Sequence, residues 1–358
     1  MKVRIGLCIF LLFSLPTTIF ADLRITVEPD KNWGNAPTSN VKKLCENVAL
    51  HFQEQLRDEL KIDGKLNIVY RASGPVAFYR HAFGGASDEY QVGLTVTGTY
   101  WAQFSYQFGH EFCHILHNFE DTRWQRQNQW FEEAICELAN LWVIRRMSET
   151  WAYRAPYPNW VDYRHSLRSY AEGLLNAPMT QFNGTGAEWL FQWENRMRAE
   201  EPGVFRYDRV AQLSYKFLPI FEENPEAWNA VRQMPVSDKK MNEYMKEWYN
   251  NVDTQDKIFV ADIAQIMGIS VGGSIAVSID GIDTDVNNDG YVDLSDVLIV
   301  RSGIQNSVSY NTDINGDGKT DEVDVLIVKQ KAMEAIVAAA PSLKIRRKIT
   351  TWGALKRK

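Results

Sequence analysis

The residues best placed to do chemistry are His110, Glu111 and His114, in the run His110-Glu111-Phe112-Cys113-His114, together with Glu133. Four positions separate the two histidines, so on a helix both imidazoles leave one face toward a shared point. Glu111 stands about 100° round that helix from His110, able to reach a metal-bound water without being a ligand itself. Two neutral nitrogen ligands, a carboxylate base and a position left open to water are what a zinc hydrolase requires. Glu133 supplies the third protein ligand. Glu137 follows it on the same helical face and can accept the outer N–H of a ligand histidine, fixing its tautomer.

Two helices must hold these groups. Residues 101–119 are apolar on a helical period, and residues 129–147 form a second helix that carries Glu133 and Glu137. Upstream, Val41, Leu44, Val48, Phe52 and Leu56 make a helical stripe over 39–60, with Ser39 or Asn40 as N-cap. The segments 66–71, 76–80 and 90–96 are short, β-rich and bounded by Gly, Pro or Asp, so they read as strands. From 100 to 267 the pattern is helical, broken at 118–128, at Pro156 and Pro158, at 183–186 and at Pro202-Gly203. Mixed helix and sheet first, then helices alone, predicts an α+β fold with its site where the two halves meet.

Residues 1–21 have a basic start, a short apolar run broken by Pro16, and Ala21 before Asp22, the pattern of a secretory signal peptide. Its run is short for a membrane anchor, and nothing later resembles a membrane span. The 358-residue chain exceeds usual single-domain length. A net charge of −6 argues against a general nucleic-acid binder. Once Cys8 leaves with the signal peptide, Cys45, Cys113 and Cys136 remain, too few for a disulfide scaffold. Cys113 and Cys136 read as buried small hydrophobes, with a bridge between the two ligand helices, or zinc ligation, as alternatives.

His-Glu-x-x-His, the 18 residues between His114 and Glu133, the run Trp130-Phe131-Glu132-Glu133-Ala134 and the later Glu137 together resemble the gluzincin metallopeptidases. That superfamily includes thermolysin and the aminopeptidase-N-like enzymes, and the resemblance covers residues 90–220. It implies a gluzincin-like catalytic domain, a small mixed sheet plus a helical half. It also implies that His110, His114 and Glu133 ligate one catalytic zinc, and that Glu111 is general base and then proton donor to the leaving amine. The family often has Asn before the ligand glutamate; here it is Glu132. A metzincin would need Gly at 117 and His or Asp at 120, where this chain has His117 and Glu120; either could ligate if the helix ended early, but His117 reads first as a neighbour of the site. By the same resemblance a tyrosine opening a later helix stabilises the oxyanion, which nominates Tyr207, with Tyr215 second. The strand 90–96 either takes up extended peptide as an added strand or is an ordinary core strand. The Trp-rich stretch 142–193 reads as core packing before cleft lining.

A second pattern closes the chain. Asp285, Asn287, Asp289, Tyr291, Asp293 and Asp296 recur 28 residues later as Asp313, Asn315, Asp317, Lys319, Asp321 and Asp324. Oxygens at positions 1, 3, 5, 9 and 12 around a glycine at 6 make a calcium loop, with the backbone carbonyl of Tyr291 or Lys319 at position 7. With Asp at 12 and one helix after each loop, residues 281–336 resemble a type I dockerin, a small α-helical domain. The resemblance implies two structural Ca²⁺ ions and a cohesin partner. Positions 10 and 11, Leu294-Ser295 and Glu322-Val323, lack the common hydroxyl pair.

These readings predict a signal peptide (1–21), a zinc metallopeptidase domain (22–267), a linker (268–280) with one short strand at 274–279, a dockerin-like domain (281–336) and a basic tail (337–358). The expected protein is secreted, extracellular or cell-surface associated, and hydrolyses protein or peptide substrates. The alternative is a non-catalytic zinc-binding assembly protein attached through the dockerin-like domain.

Overall fold

A computed structural model describes residues 24–58, 65–79, 89–117, 127–199 and 205–271, and toward the C-terminus 283–288, 292, 294–305, 310–316, 318–321, 323–325, 327–329 and 331. The signal peptide, the strand expected at 274–279, Glu120 and the basic tail lie outside the described residues. The chain forms two compact units, Met1–Thr122 with Glu132–Gln181, and Arg123–Phe131 with Phe182–Lys358.

The first unit contains a four-stranded sheet of β1 (Arg24–Val27), β2 (Lys65–Tyr70), β3 (Val76–Tyr79) and β4 (Glu89–Leu94), in the order β1-β2-β4-β3. β1, β2 and β4 run parallel, and β3 pairs antiparallel with β4. The strand expected at 90–96 therefore has neighbours on both sides. Strand addition to β4 is ruled out, and the core-strand alternative holds, since Val92 and Leu94 are buried.

Helix α1 (Thr38–Gln53) buries Val41, Leu44, Cys45, Val48 and Phe52, the stripe the sequence shows. Its N-cap lies two or three residues before the expected Ser39 or Asn40. Pro37 is the N-cap and makes no side-chain bond, because its hydrocarbon ring offers no acceptor to the first helical amides. The helix also stops at Gln53 rather than near 60. Helix α2 (Trp101–Leu116) and helix α3 (Gln129–Arg154) complete the unit's core. α1 contacts β1 and α2, and α2 contacts β4 and β3, so helices and sheet make two layers. Phe52 of α1 joins them, its ring 5.8 Å from Phe112 and 5.1 Å from Trp142. Trp101 stacks on Trp160 at 4.8 Å, and Trp142, Trp151 and Trp160 are all buried, so this part of the Trp-rich stretch is core. Helix α4 (Arg164–Leu175) contacts α2.

The second unit is helical, with α5 (Gly186–Ala199), α6 (Phe205–Glu223), α7 (Trp228–Val231), α8 (Met241–Asn251), α9 (Lys257–Ile266) and α10 (Leu294–Gln305). Phe131 packs edge-on against Phe217, Tyr244 and Trp248, and the Trp248 indole donates to the Ala230 carbonyl at 3.0 Å. Asn128 donates to the Ser237 and Lys239 carbonyls at 2.7 Å each. The Arg198 guanidinium bonds Asn128 and the Asp238 and Lys239 carbonyls, which seals this corner. Among the described residues no helix is long and apolar enough to cross a membrane.

Candidate metal centre

The site begins with a close approach of two helices. A Cβ at Gly109, directly before His110, would meet Val143 Cγ1 at 2.9 Å and Asn140 Cα at 3.3 Å. Glycine here lets α3 come near enough for its carboxylates to reach the imidazoles of α2.

The two rings lie 5.1 Å apart, inclined at 70°. His110 Nε2 is 3.1 Å from Glu133 Oε2, and His114 Nε2 is 3.8 Å from Glu133 Oε1. Nitrogen and oxygen ligands of a tetrahedral zinc, each about 2.0–2.1 Å from the ion, stand about 3.3 Å from one another. The observed separations bracket that spacing, one to each oxygen of Glu133, so this carboxylate faces both imidazoles. Glu111 is buried on the same helix.

Carboxylates also occupy the outer edges of both rings. His114 Nδ1 donates to Glu132 Oε1 at 2.7 Å, while His110 Nδ1 lies 3.9 Å from Glu137 Oε2. Glu137 is itself fixed, by the Tyr106 hydroxyl at 2.7 and 2.8 Å and by Asn140 Nδ2 at 2.9 Å. The short outer bond sets which nitrogen of His114 faces inward, Nε2, while Nε2 of His110 faces Glu133. Glu132 thus has a role its position beside Glu133 did not disclose. Tyr106 and Asn140 were missed as well, although Tyr106 precedes His110 by one helical turn and Asn140 follows Glu137 by three residues, spacings that place each pair on one face.

Charge points the same way. Burial pushes the His110 pKa down, but the hydrogen bond and charge of Glu133 and the charge of Glu111 raise it on balance. For His114 burial is likewise outweighed, by the charge of Glu133, the hydrogen bond and charge of Glu132, and Glu111, and the net shift is well upward. Four carboxylates around two imidazoles leave an excess of negative charge, which a divalent cation would offset.

His117 caps the C-terminus of α2, with Nδ1 3.6 Å from Glu132 Oε1. It shares the outer carboxylate with His114. Cys113 and Cys136 are buried free thiols, so the alternative of a bridge is not realised. Burial, followed by the hydrogen bond its thiol donates to Cys113, holds the Cys136 pKa well above the ordinary thiol value. Cys136 nevertheless offers a second donor set, because its sulfur and nitrogens of His110 and His114 lie within 4.8 Å of one another. Tyr207 falls in the first turn of α6, but its side chain is outside the described residues; Tyr215 is half-buried in the same helix.

The two acidic loops repeat their geometry as well as their sequence. Asp296 Oδ1 accepts from the backbone of Val286 at 2.7 Å and Asn287 at 3.2 Å. Asp324 Oδ1 accepts from Ile314 at 2.7 Å and Asn315 at 2.9 Å, the same positions one repeat later. Asp313 closes its loop on the Gly316 and Gly318 amides, both at 2.9 Å. Gly318, at position 6, has φ 88°, a left-handed turn that suits glycine. Val297 and Val300 are buried, as are their repeat equivalents Val325 and Val328. Asp285, Asn287, Asn315, Lys319 and Asp321 are described; Asp289, Tyr291, Asp293 and Asp317 lie outside the described residues.

The family model of the dockerin type I domain matches residues 283–332. No curated protein and no solved structure matches the chain. The C-terminal repeat is therefore a type I dockerin domain, a calcium-binding module.

Proposed function

We propose that this chain is a secreted, zinc-dependent peptidase whose dockerin domain docks it to a cohesin partner. The observation that carries the reading is the convergence of His110 Nε2 and His114 Nε2 on the two oxygens of Glu133, with Glu111 buried on the same helix. Zinc held there would polarise a scissile carbonyl and acidify a water. Glu111 takes the proton of the attacking water and returns it to the leaving amine. Glu132 and Glu137 keep both rings oriented through the reaction, and Tyr207 is the candidate donor to the oxyanion. Dockerin domains belong to extracellular assemblies, which agrees with an exported enzyme.

The test compares zinc content and cleavage of a quenched peptide library for the wild type and Glu111→Gln. Zinc should persist in both, while cleavage falls about 10²–10⁴-fold in the variant. A zinc-loaded wild type that cleaves nothing the variant spares ends the peptidase reading.

One observation favours a second reading, the nearness of Cys136 to both histidines. Cys136 with Glu133 would close the site with four protein ligands, leaving a structural zinc and a protein whose task is assembly. Cobalt substitution separates the two, since a thiolate ligand adds an intense near-ultraviolet band that Cys136→Ser abolishes. Under the peptidase reading the band is absent, and Glu133→Ala, not Cys136→Ser, releases the metal.

A further inference from the structure

The dockerin repeat places two basic residues in register. Arg301 and Lys329 are 28 positions apart, and each follows the last aspartate of its loop, Asp296 or Asp324, by five residues. A solvated role would leave both exposed. Instead both meet one helix of the same unit. The Arg301 guanidinium carbon lies 4.7 Å from the centre of the Phe259 ring, and the Lys329 ammonium pairs with the Asp262 carboxylate. Phe259 and Asp262 are three residues apart on α9, so they share one face.

These contacts are largely withdrawn from water, the side chains of Lys329 and Asp262 being 25% and 15% exposed. Burial pushes the Lys329 pKa down to about 8, and the Arg301 pKa is also lowered by burial, against the opposing charges of Glu226 and Glu223. A lysine so placed needs its carboxylate, because an unpaired charge at such a depth is costly.

We infer that the dockerin domain is clasped to α9 of its own chain through the two basic residues its repeat makes equivalent. Each clasp residue sits just after a calcium loop. Loading the loops fixes the direction in which the following segments leave them, and so brings both side chains to one face of α9. Calcium then acts beyond the module, stabilising the helical unit that carries α9. A partner that needs this face of the dockerin must displace α9 first.

Zero-length carbodiimide coupling of the full chain in calcium tests the clasp. The reagent activates a carboxyl, an amine displaces it, and an amide forms as the reagent leaves as its urea. Peptide mapping should find Lys329 joined to Asp262, and the link should vanish with chelator. The Lys239–Glu247 pair, 3.1 Å apart, reports that the reagent has worked. Its appearance without a Lys329–Asp262 link in the calcium-loaded chain overturns the proposal. A charge exchange gives an independent readout. Lys329→Asp and Asp262→Lys should each lower the thermal midpoint by about 3 °C, the shift expected for roughly 1 kcal/mol in a unit of this size, and the double variant should recover most of it. Losses that simply add in the double variant also overturn it.

Discussion

His51 offers a test of the frame that holds the metal helices, one that depends on neither metal nor substrate. It lies on α1 and is buried, with Nδ1 2.7 Å from the Asn47 carbonyl and Nε2 2.8 Å from the Thr150 hydroxyl on α3. Burial lowers its pKa to about 4, helped by Arg154 and Arg146 and opposed by the Asn47 bond and Glu54. The unfolded chain binds the proton near the ordinary value of 6.5, so between the two values the unfolded state holds more protons than the folded one. Stability from the neutral ring is therefore complete above pH 6.5 and drains as pH falls toward 4. At about 1.4 kcal/mol per pKa unit, the loss by pH 4 is about 3 kcal/mol. The assay is urea unfolding of wild type and His51→Gln from pH 7.5 to about 4, both with a zinc chelator. Carboxylate titrations common to the two proteins cancel in the difference. The variant should be weaker at neutral pH, where it loses a fitted hydrogen-bonded ring, and the gap should close by about 3 kcal/mol toward pH 4. A gap that stays constant across this range would refute the argument, because it would mean His51 takes up its proton at the same pH folded and unfolded.

Glu132→Ala should weaken zinc binding about 10–100-fold in a competition titration, since it frees the outer nitrogen of His114. Equal affinity in wild type and variant would mean that this carboxylate orients nothing. Gly109→Ala should cost about 1–3 kcal/mol in chemical denaturation, because the added methyl presses on Val143 and Asn140, and should lower zinc affinity as the two helices separate. Asp324→Ala removes the acceptor of the Ile314, Asn315 and Asp321 amides together with a calcium ligand, and calorimetry should show more than about a tenfold loss of affinity at that loop, the worth of one charge-assisted hydrogen bond.

Much of the first unit was legible because its signals are local. The stripe from Val41 to Phe52, the apolar run around His110 and three of the four strands follow from side-chain period alone. β1 was missed because Arg24–Val27 is four residues long and directly follows the apparent signal peptide. Strand order is a different kind of information. Nothing between 66 and 96 says that β3 folds back outside β4, since pairing partners are chosen by non-local packing, and so the peptide-binding role assigned to 90–96 had no local check.

The metal site divides along the same line. Helical spacing put His110 and His114 on one face and Glu133 with Glu137 on another, and that much needs only a 3.6-residue period. The rotation of α3 against α2 is set elsewhere, by the missing side chain at Gly109 and by the Tyr106 and Asn140 bonds to Glu137. That rotation decides what Glu132, Glu133 and Cys136 can reach. With Glu137 tied to Tyr106 at the outer edge of His110, Glu133 faces Nε2 of both rings and Glu132 meets the outer edge of His114. A small turn of α3 that brings Cys136 in beside Glu133 would complete four protein ligands, converting an open site into a closed one. The catalytic reading therefore depends on the Tyr106–Glu137 bond, four residues from each of the ligands it positions. Tyr106→Phe, which deletes that bond and keeps the ring, should shift metal binding toward sulfur, visible in the cobalt protein as a growing thiolate band. If the band is as weak in Tyr106→Phe as in wild type, the rotation is held by packing alone.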